Sequence, residues 1–150
     1  MTKPDLTDPD LIARAAATIN PRRGPYGRTF GDVGCCLVST SGKHYVGVDI
    51  DTGSGTGFCA EHSAIAAMVT AGEYQIAKIV AVWRDEQGRL YVLPPCGRCR
   101  ELMRQTDAAN LDTEVVLGDT RRLRLRELLP EHEWPAPLEP GAVEGAVRNT

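Results

Sequence analysis

Two short stretches restrict this chain more than anything else in it. "CAE" at 59–61 stands at the head of an apolar, helix-like run, and "PCGRC" at 95–99 opens a second helical segment. Cys96 and Cys99 are three positions apart at a helix start, so both sulfurs can turn toward one centre. A helix start also offers free N–H groups and the positive end of the helix dipole, and both favour a thiolate. If Cys59 shares that centre, the fold has to bring two helix N-termini together across 37 residues of sequence.

The cysteine count narrows the chemistry. Five cysteines, Cys35, Cys36, Cys59, Cys96 and Cys99, are an odd number in a chain whose first twenty residues show no export signal. That argues against a disulfide framework and for metal, catalysis or burial. Three readings of the Cys96–Cys99 pair stay open. A redox dithiol leaves Cys59 unexplained. A closed structural zinc site takes His62 as its fourth ligand. The third reading has three cysteine ligands and one open position, the arrangement of catalytic zinc. Glu61 follows Cys59 by two residues and so points away from its sulfur. It can stand beside a metal without ligating it and carry a proton. Alone, a glutamate in a first helical turn is an ordinary partner of the dipole; the cysteines give it a chemical role. Arg98 and Arg100, flanking Cys99, either balance the negative charge of three thiolates on Zn²⁺ or are surface residues.

The rest of the chain reads as one α/β domain, 1–150, its sheet covered by helices. A first helix is expected at 8–20, with Asp8 as N-cap, Pro9 in the first turn and a stripe of Leu11, Ile12, Ala15, Ala16 and Ile19. Residues 21–32 read as a loop, and 51–57, with three glycines, as a mobile rim beside a site. "VGCCLVST" and "HYVGVDI" form a hairpin about Ser41–Lys43, with Cys35 and Cys36 as buried core side chains. A second helix is expected at 59–71. Strands follow at "IAKIVAVW", with Trp83 in the core, and at "RLYVLP", then a helix from "PCGRC" and a strand at "TEVVLGD". His44 and His132 are expected at the surface without partners. The four arginines of 121–126 read as a solvated face, and the tail from 135 to 150 as irregular.

Composition excludes some functions. A net charge of −3 and 5% aromatic residues disfavour a grip on polymeric nucleic acid, which needs clustered cations and stacking rings. No apolar run approaches the roughly 20 residues of a membrane span. A cytoplasmic protein is expected.

A metal ligand, any residue, a glutamate, and later Pro-Cys-x-x-Cys is the signature of zinc deaminases that act on nucleobases. With "LIARAAATIN" at 11–20, "PCGRCR" at 95–100, and "RELLP" at 126–130 followed by Trp134, the chain resembles the cytidine deaminase superfamily over about 9–134. Within it the chain looks most like the blasticidin-S deaminases. The resemblance implies a three-layer α/β/α fold with a central mixed sheet, and a homotetramer with active sites near subunit interfaces. It implies zinc on Cys59, Cys96 and Cys99 and Glu61 as proton shuttle in hydrolysis of a cytosine amine to give uracil and ammonia. It places the Ala60 N–H on the pyrimidine carbonyl, the Pro94 carbonyl on the exocyclic amine, and Phe30 near the base. Trp134 either covers the site of a neighbouring subunit or ties down the tail.

Two departures bear on substrate. Asp49-Ile50-Asp51 stands where cytidine deaminases carry Asn-x-Glu to hold the ribose, and His62 stands where tetrameric ones carry arginine. An acidic rim of Asp49 and Asp51 suits a cationic substrate group such as the guanidino tail of blasticidin S, with ordinary cytidine or deoxycytidine as the alternative. A polynucleotide deaminase lacks the basic channel it would need. A non-catalytic zinc-stabilised nucleoside-binding protein would have no use for Glu61.

Overall fold

The structure, a computed structural model, describes residues 6–143 and 145. The last residues of the expected tail, 144 and 146–150, lie outside the described residues, as do 1–5. The first helix, α1 (Asp8–Thr18), is capped one residue earlier than the sequence suggests. Thr7 Oγ1 accepts from the Asp10 N–H at 3.3 Å, and the Asp10 carboxylate accepts from the Thr7 N–H at 3.2 Å. This reciprocal capping box leaves Asp8 inside the first turn, where its charge meets the dipole.

The segment read as a loop contains order of its own. β1 (Arg22–Arg23) and β2 (Thr29–Phe30) pair antiparallel around a turn at Pro25–Gly27. The hairpin follows as expected: β3 (Val33–Ser39) and β4 (His44–Val48) pair antiparallel, with Cys36 opposite Val46. Next come α2 (Ala60–Thr70), β5 (Ile76–Arg84), β6 (Leu90–Leu93), α3 (Gly97–Thr106), β7 (Glu114–Val116), β8 (Arg122–Arg124) and the single turn α4 (Leu125–Leu128).

Six strands form one mixed sheet in the order β4-β3-β5-β7-β8, and β6 pairs the far end of β5. β5 is its spine: β3 runs along one edge, while β7 (parallel) and β6 (antiparallel) share the other. Both faces are covered, as the alternation of strand side chains requires. Cys35, Leu37, Ile79 and Ala81 face α2 with its Ala64, Ile65 and Met68. Cys36, Val80 and Val82 face α1 with its Leu11, Ala15 and Ala16. Cys35 and Cys36 are thus the core side chains expected, one on each face. The result is the three-layer α/β/α architecture with a central mixed sheet.

Two close approaches set the layers. A side chain at Gly34 would collide with the Ala15 carbonyl of α1, and one at Gly47 with Ser63 and Ala64 of α2. Glycine at 47 therefore lets α2 press onto β4, where the Ser63 hydroxyl donates to the Val48 carbonyl at 2.7 Å. On the other side, fully buried Asn110 locks α3 to the sheet. Its Oδ1 accepts from the Ile76 N–H at 2.8 Å, and its Nδ2 donates to the Met103 and Tyr74 carbonyls.

Several expectations need correction. Trp83 is half-buried instead of core: it packs on Tyr91 with ring centroids 5.2 Å apart and lines a hollow. His132 has a partner, with Nδ1 2.8 Å from the Leu129 carbonyl, and His44 is half-buried and partnered. The glycine-rich 51–57 segment is a hydrogen-bonded loop, clasped at its base where Ile50 and Phe58 exchange backbone bonds of 3.0 and 2.9 Å. Arg122, Arg124 and Arg126 pair with surface acids, as a solvated face does. No helix among the described residues is long and apolar enough to cross a membrane.

Candidate active site

α2 and α3 begin side by side, and each begins on a cysteine. Cys59 is the N-cap of α2 and Cys96 the N-cap of α3, both extended and neither using its sulfur to close the helix end. Cys99 lies one turn into α3 and is fully buried. Cys59 Sγ stands 3.5 Å from Cys96 Sγ, which stands 3.5 Å from Cys99 Sγ. All three lie within 4.8 Å of one another, the one such group of potential metal ligands among the described residues. A zinc–sulfur bond of about 2.3 Å in a tetrahedron separates sulfurs by about 3.8 Å, so the cluster has nearly the spacing that zinc requires.

Its electrostatics point the same way. Burial pushes the Cys59 thiol up to about 11, with the Cys96 sulfur adding to it. Burial pushes Cys99 higher still, helped by the charge of Glu61. Burial opposes ionisation of Cys96 as well, but the backbone amides of Cys99 and Arg98 and the bonds from the two other sulfurs outweigh it and lower that thiol. Three sulfurs packed this closely can all ionise only around a cation.

Glu61, 5% exposed, is the buried carboxylate beside them. Burial raises its pKa, contact with Cys99 lowers it, and the charge of Asp49 raises it. Cys59, Ala60, Glu61 and Cys96 form one wall of a cavity of about 460 Å³, and Asp49, Asp51, Phe58 and Pro94 are among the residues of the others. That volume suits a small ligand held largely out of water. His62 Nδ1 stands 3.4 Å from Cys99 Sγ but falls outside the set of mutually close ligand atoms, so those atoms are the three sulfurs alone.

Residues 11–114 match the cytidine and deoxycytidylate deaminase zinc-binding region. The chain belongs to this family. A cytidine deaminase of Halalkalibacterium halodurans is 32% identical over 111 residues, 71% of this chain and 78% of that protein. Among solved structures, the cytidine deaminase of Mycobacterium leprae superposes with a TM-score of 0.68 at 26% identity, covering 85% of this chain and all of the other. That of Burkholderia pseudomallei gives 0.67 at 31% identity, over 84% and 98%. The chain is a zinc-dependent aminohydrolase of the cytidine deaminase type, and zinc is its cofactor.

In this deaminase the substrate-contact residues expected from the sequence do not all converge. Ala60, Pro94, Asp49 and Asp51 line the cavity with Cys59, Cys96 and Glu61. Phe30 does not: its ring lies over Gly24 in the small β1–β2 hairpin, and the aromatic residue on the cavity wall is Phe58. Phe58 immediately precedes Cys59, so its neighbour was the signal that could have found it. Trp134 is 95% exposed and lines no described cavity, so within its own chain it does not tie down the tail. Asp51 is paired with Arg28 at 3.2 Å, and Asp49 accepts from the Val33 N–H at 3.0 Å. The acidic rim therefore carries less free charge than two aspartates suggest.

The flanking arginines are both engaged. Arg98 lines the cavity and donates to the Gly57 carbonyl at 3.1 Å. Half-buried Arg100 donates to the carbonyls of Pro95 at 2.8 Å and Leu128 at 2.9 Å, which clamps α4 against the start of α3. Its role is that of a strut.

Proposed function

We propose that this deaminase removes the 4-amino group of the cytosine ring in a nucleoside or nucleoside analogue of the blasticidin-S kind, giving uracil and ammonia. The observation that carries the reading is the buried Glu61 carboxylate on the wall of a cavity that Cys59 and Cys96 also line, with the Cys99 sulfur buried behind them. Cys59, Cys96 and Cys99 would hold zinc beside the cavity. When bound, zinc supplies an activated water near neutral pH. Glu61 takes one proton from the attacking water and gives it to ring N3, then takes the second from the added hydroxyl and gives it to the amine, which leaves as ammonia while the ring carbonyl forms. Its burial, which raises its pKa, suits it to do both near neutrality.

The backbone holds the base. As first residue of α2, Ala60 has an N–H without a helical partner, available to the pyrimidine carbonyl, and the Pro94 carbonyl accepts from the exocyclic amine. Phe58 offers its ring to the base in the role expected of Phe30. His62 donates its Nδ1 proton to the Cys99 thiolate and draws off part of its charge, the task that the resemblance assigns to an arginine at this position. The deaminase works as a homotetramer, and the unpaired Trp134 reaches a neighbouring subunit.

Ordinary cytidine is the second reading, favoured by the names of the relatives above. The test is loss of the cytosine absorbance band, with ammonia release, for zinc-loaded protein offered cytidine, deoxycytidine and blasticidin S. The Asp49→Asn variant should shift selectivity toward the uncharged nucleosides. Unchanged selectivity removes Asp49 from substrate choice.

A further inference from the structure

Val33, Asp49, Asp51 and Leu93 of the sulfur-bearing cavity also wall a second hollow, of about 640 Å³. The two are adjoining compartments that meet at these four side chains. Beyond them the second is lined by Arg28, Asp32 and Trp83 among others. Its charges do not cancel. Arg28 is the one cation on its wall, and its guanidinium is already paired with Asp51. Asp49 has one oxygen bonded to the Val33 N–H, while no cation among the described residues pairs with Asp32. The two carboxylates are close enough that Asp32 helps burial raise the Asp49 pKa.

The third wall is aromatic and held in place. The rings of Trp83 and Tyr91 pack with an interplanar angle of 31°, and the Tyr91 hydroxyl donates to Asp85 at 3.2 Å. An indole face beside carboxylates that lack a counter-ion is a setting that attracts an ammonium or guanidinium group. The same wall repels a phosphate.

We propose that this compartment is a subsite for a cationic group carried beyond the sugar of the cytosine nucleoside, with Asp32 supplying the charge and Trp83 the aromatic face. The proposal rests on the nucleoside-deaminase reading above. It adds two residues, neither of them in the zinc motif, that set substrate class.

The test uses two cytosine nucleosides bearing the same amide-linked alkyl chain at the 5′ carbon, one ending in a primary ammonium and the other in a methyl group. For the zinc-loaded wild type, kcat/KM for the ammonium-ended compound should exceed that for the methyl-ended one by about fivefold, as a charge pair in a solvent-open hollow allows. Asp32→Asn should bring the ratio to within about twofold of one, and Trp83→Leu should reduce it partway. A wild-type ratio near one, or a ratio untouched by Asp32→Asn in a variant of normal melting temperature, overturns the subsite. So does cytidine turnover with neither chain-bearing compound accepted. If cytidine itself is not deaminated, the parent reading fails. Calorimetric binding of the corresponding uracil compounds then decides the subsite alone, on whether wild type prefers the ammonium-ended one and Asp32→Asn does not.

Discussion

In the proposed mechanism Glu61 is the residue that separates a deaminase from a protein that merely holds zinc. Glu61→Gln keeps the shape of the side chain and removes the proton carrier. We expect kcat to fall roughly a hundredfold to ten-thousandfold, the range of a positioned general acid–base, with zinc content unchanged by atomic absorption. Cys99→Ala should do the reverse and lower the zinc content itself, because one of three mutually close ligand sulfurs is lost. At this scale the sequence was most informative for the metal ligands. Cys96 and Cys99 are legible as a pair because positions three apart at a helix start share a face, and the structure brings Cys59 beside them. Phe30 and Trp134 were harder to place, because which aromatic lines a cavity is not set by a local pattern. Phe58 is the aromatic residue on the cavity wall. Asp51 was legible as an acid but not as a paired one, since Arg28 lies 23 residues away.

The elements hold the site through buried polar joints that no periodicity announces. Asn110→Ala would strand the Ile76 N–H and the Tyr74 and Met103 carbonyls in the interior. It should cost about 3 kcal/mol of unfolding free energy in a urea titration. A second joint pins the β3–β4 turn to the end of α2: Glu73 accepts from the hydroxyls of Ser39, Ser41 and Tyr45. The bonds from Ser41 and Tyr45 lead in holding the Glu73 carboxyl below its ordinary 4.5. A depressed carboxyl contributes stability that is present above the unfolded pKa and lost as pH falls through the folded one. The wild type should therefore lose more stability than Glu73→Gln as pH drops below 4.5, measured by melting temperature across that window. Equal slopes would show that the hydroxyl cluster does not stabilise the ionised form. Helices and strands were mostly legible from apolar spacing. The β1–β2 pair was not, because two-residue strands are too short to carry a period. The cap of α1 moved from Asp8 to Thr7 because a threonine three residues before an acid completes a reciprocal box.

In the molecule as a whole, the three-layer fold exists to bring two helix starts together, and zinc would join them. Removing the metal should lower the melting temperature, and stoichiometric zinc should restore it, since a ligand of the folded state alone adds its binding energy to stability. A helix-covered sheet was readable in advance from the order of helices and strands, and the three layers from the resemblance to the family. The β5–β6 hairpin follows from the short turn between the two strands, but the parallel pairing of β7 with β5 was not readable, since Lys78 and Glu114 lie far apart in sequence. The proposed tetramer is checked by light scattering, which should give four times the mass of one chain. An apolar groove of about 520 Å³ between α2 and α3, lined in part by Val69 and Leu102, supports burial against another copy. The most direct measurement remains ammonia release from a cytosine nucleoside by zinc-loaded wild type and by Glu61→Gln, side by side. Stoichiometric ammonia and uracil product from the wild type alone is the expected result. Equal release by both proteins, or none from any cytosine nucleoside offered to fully zinc-loaded wild type, would contradict the assignment of Glu61 and its neighbouring sulfurs as a deaminase centre.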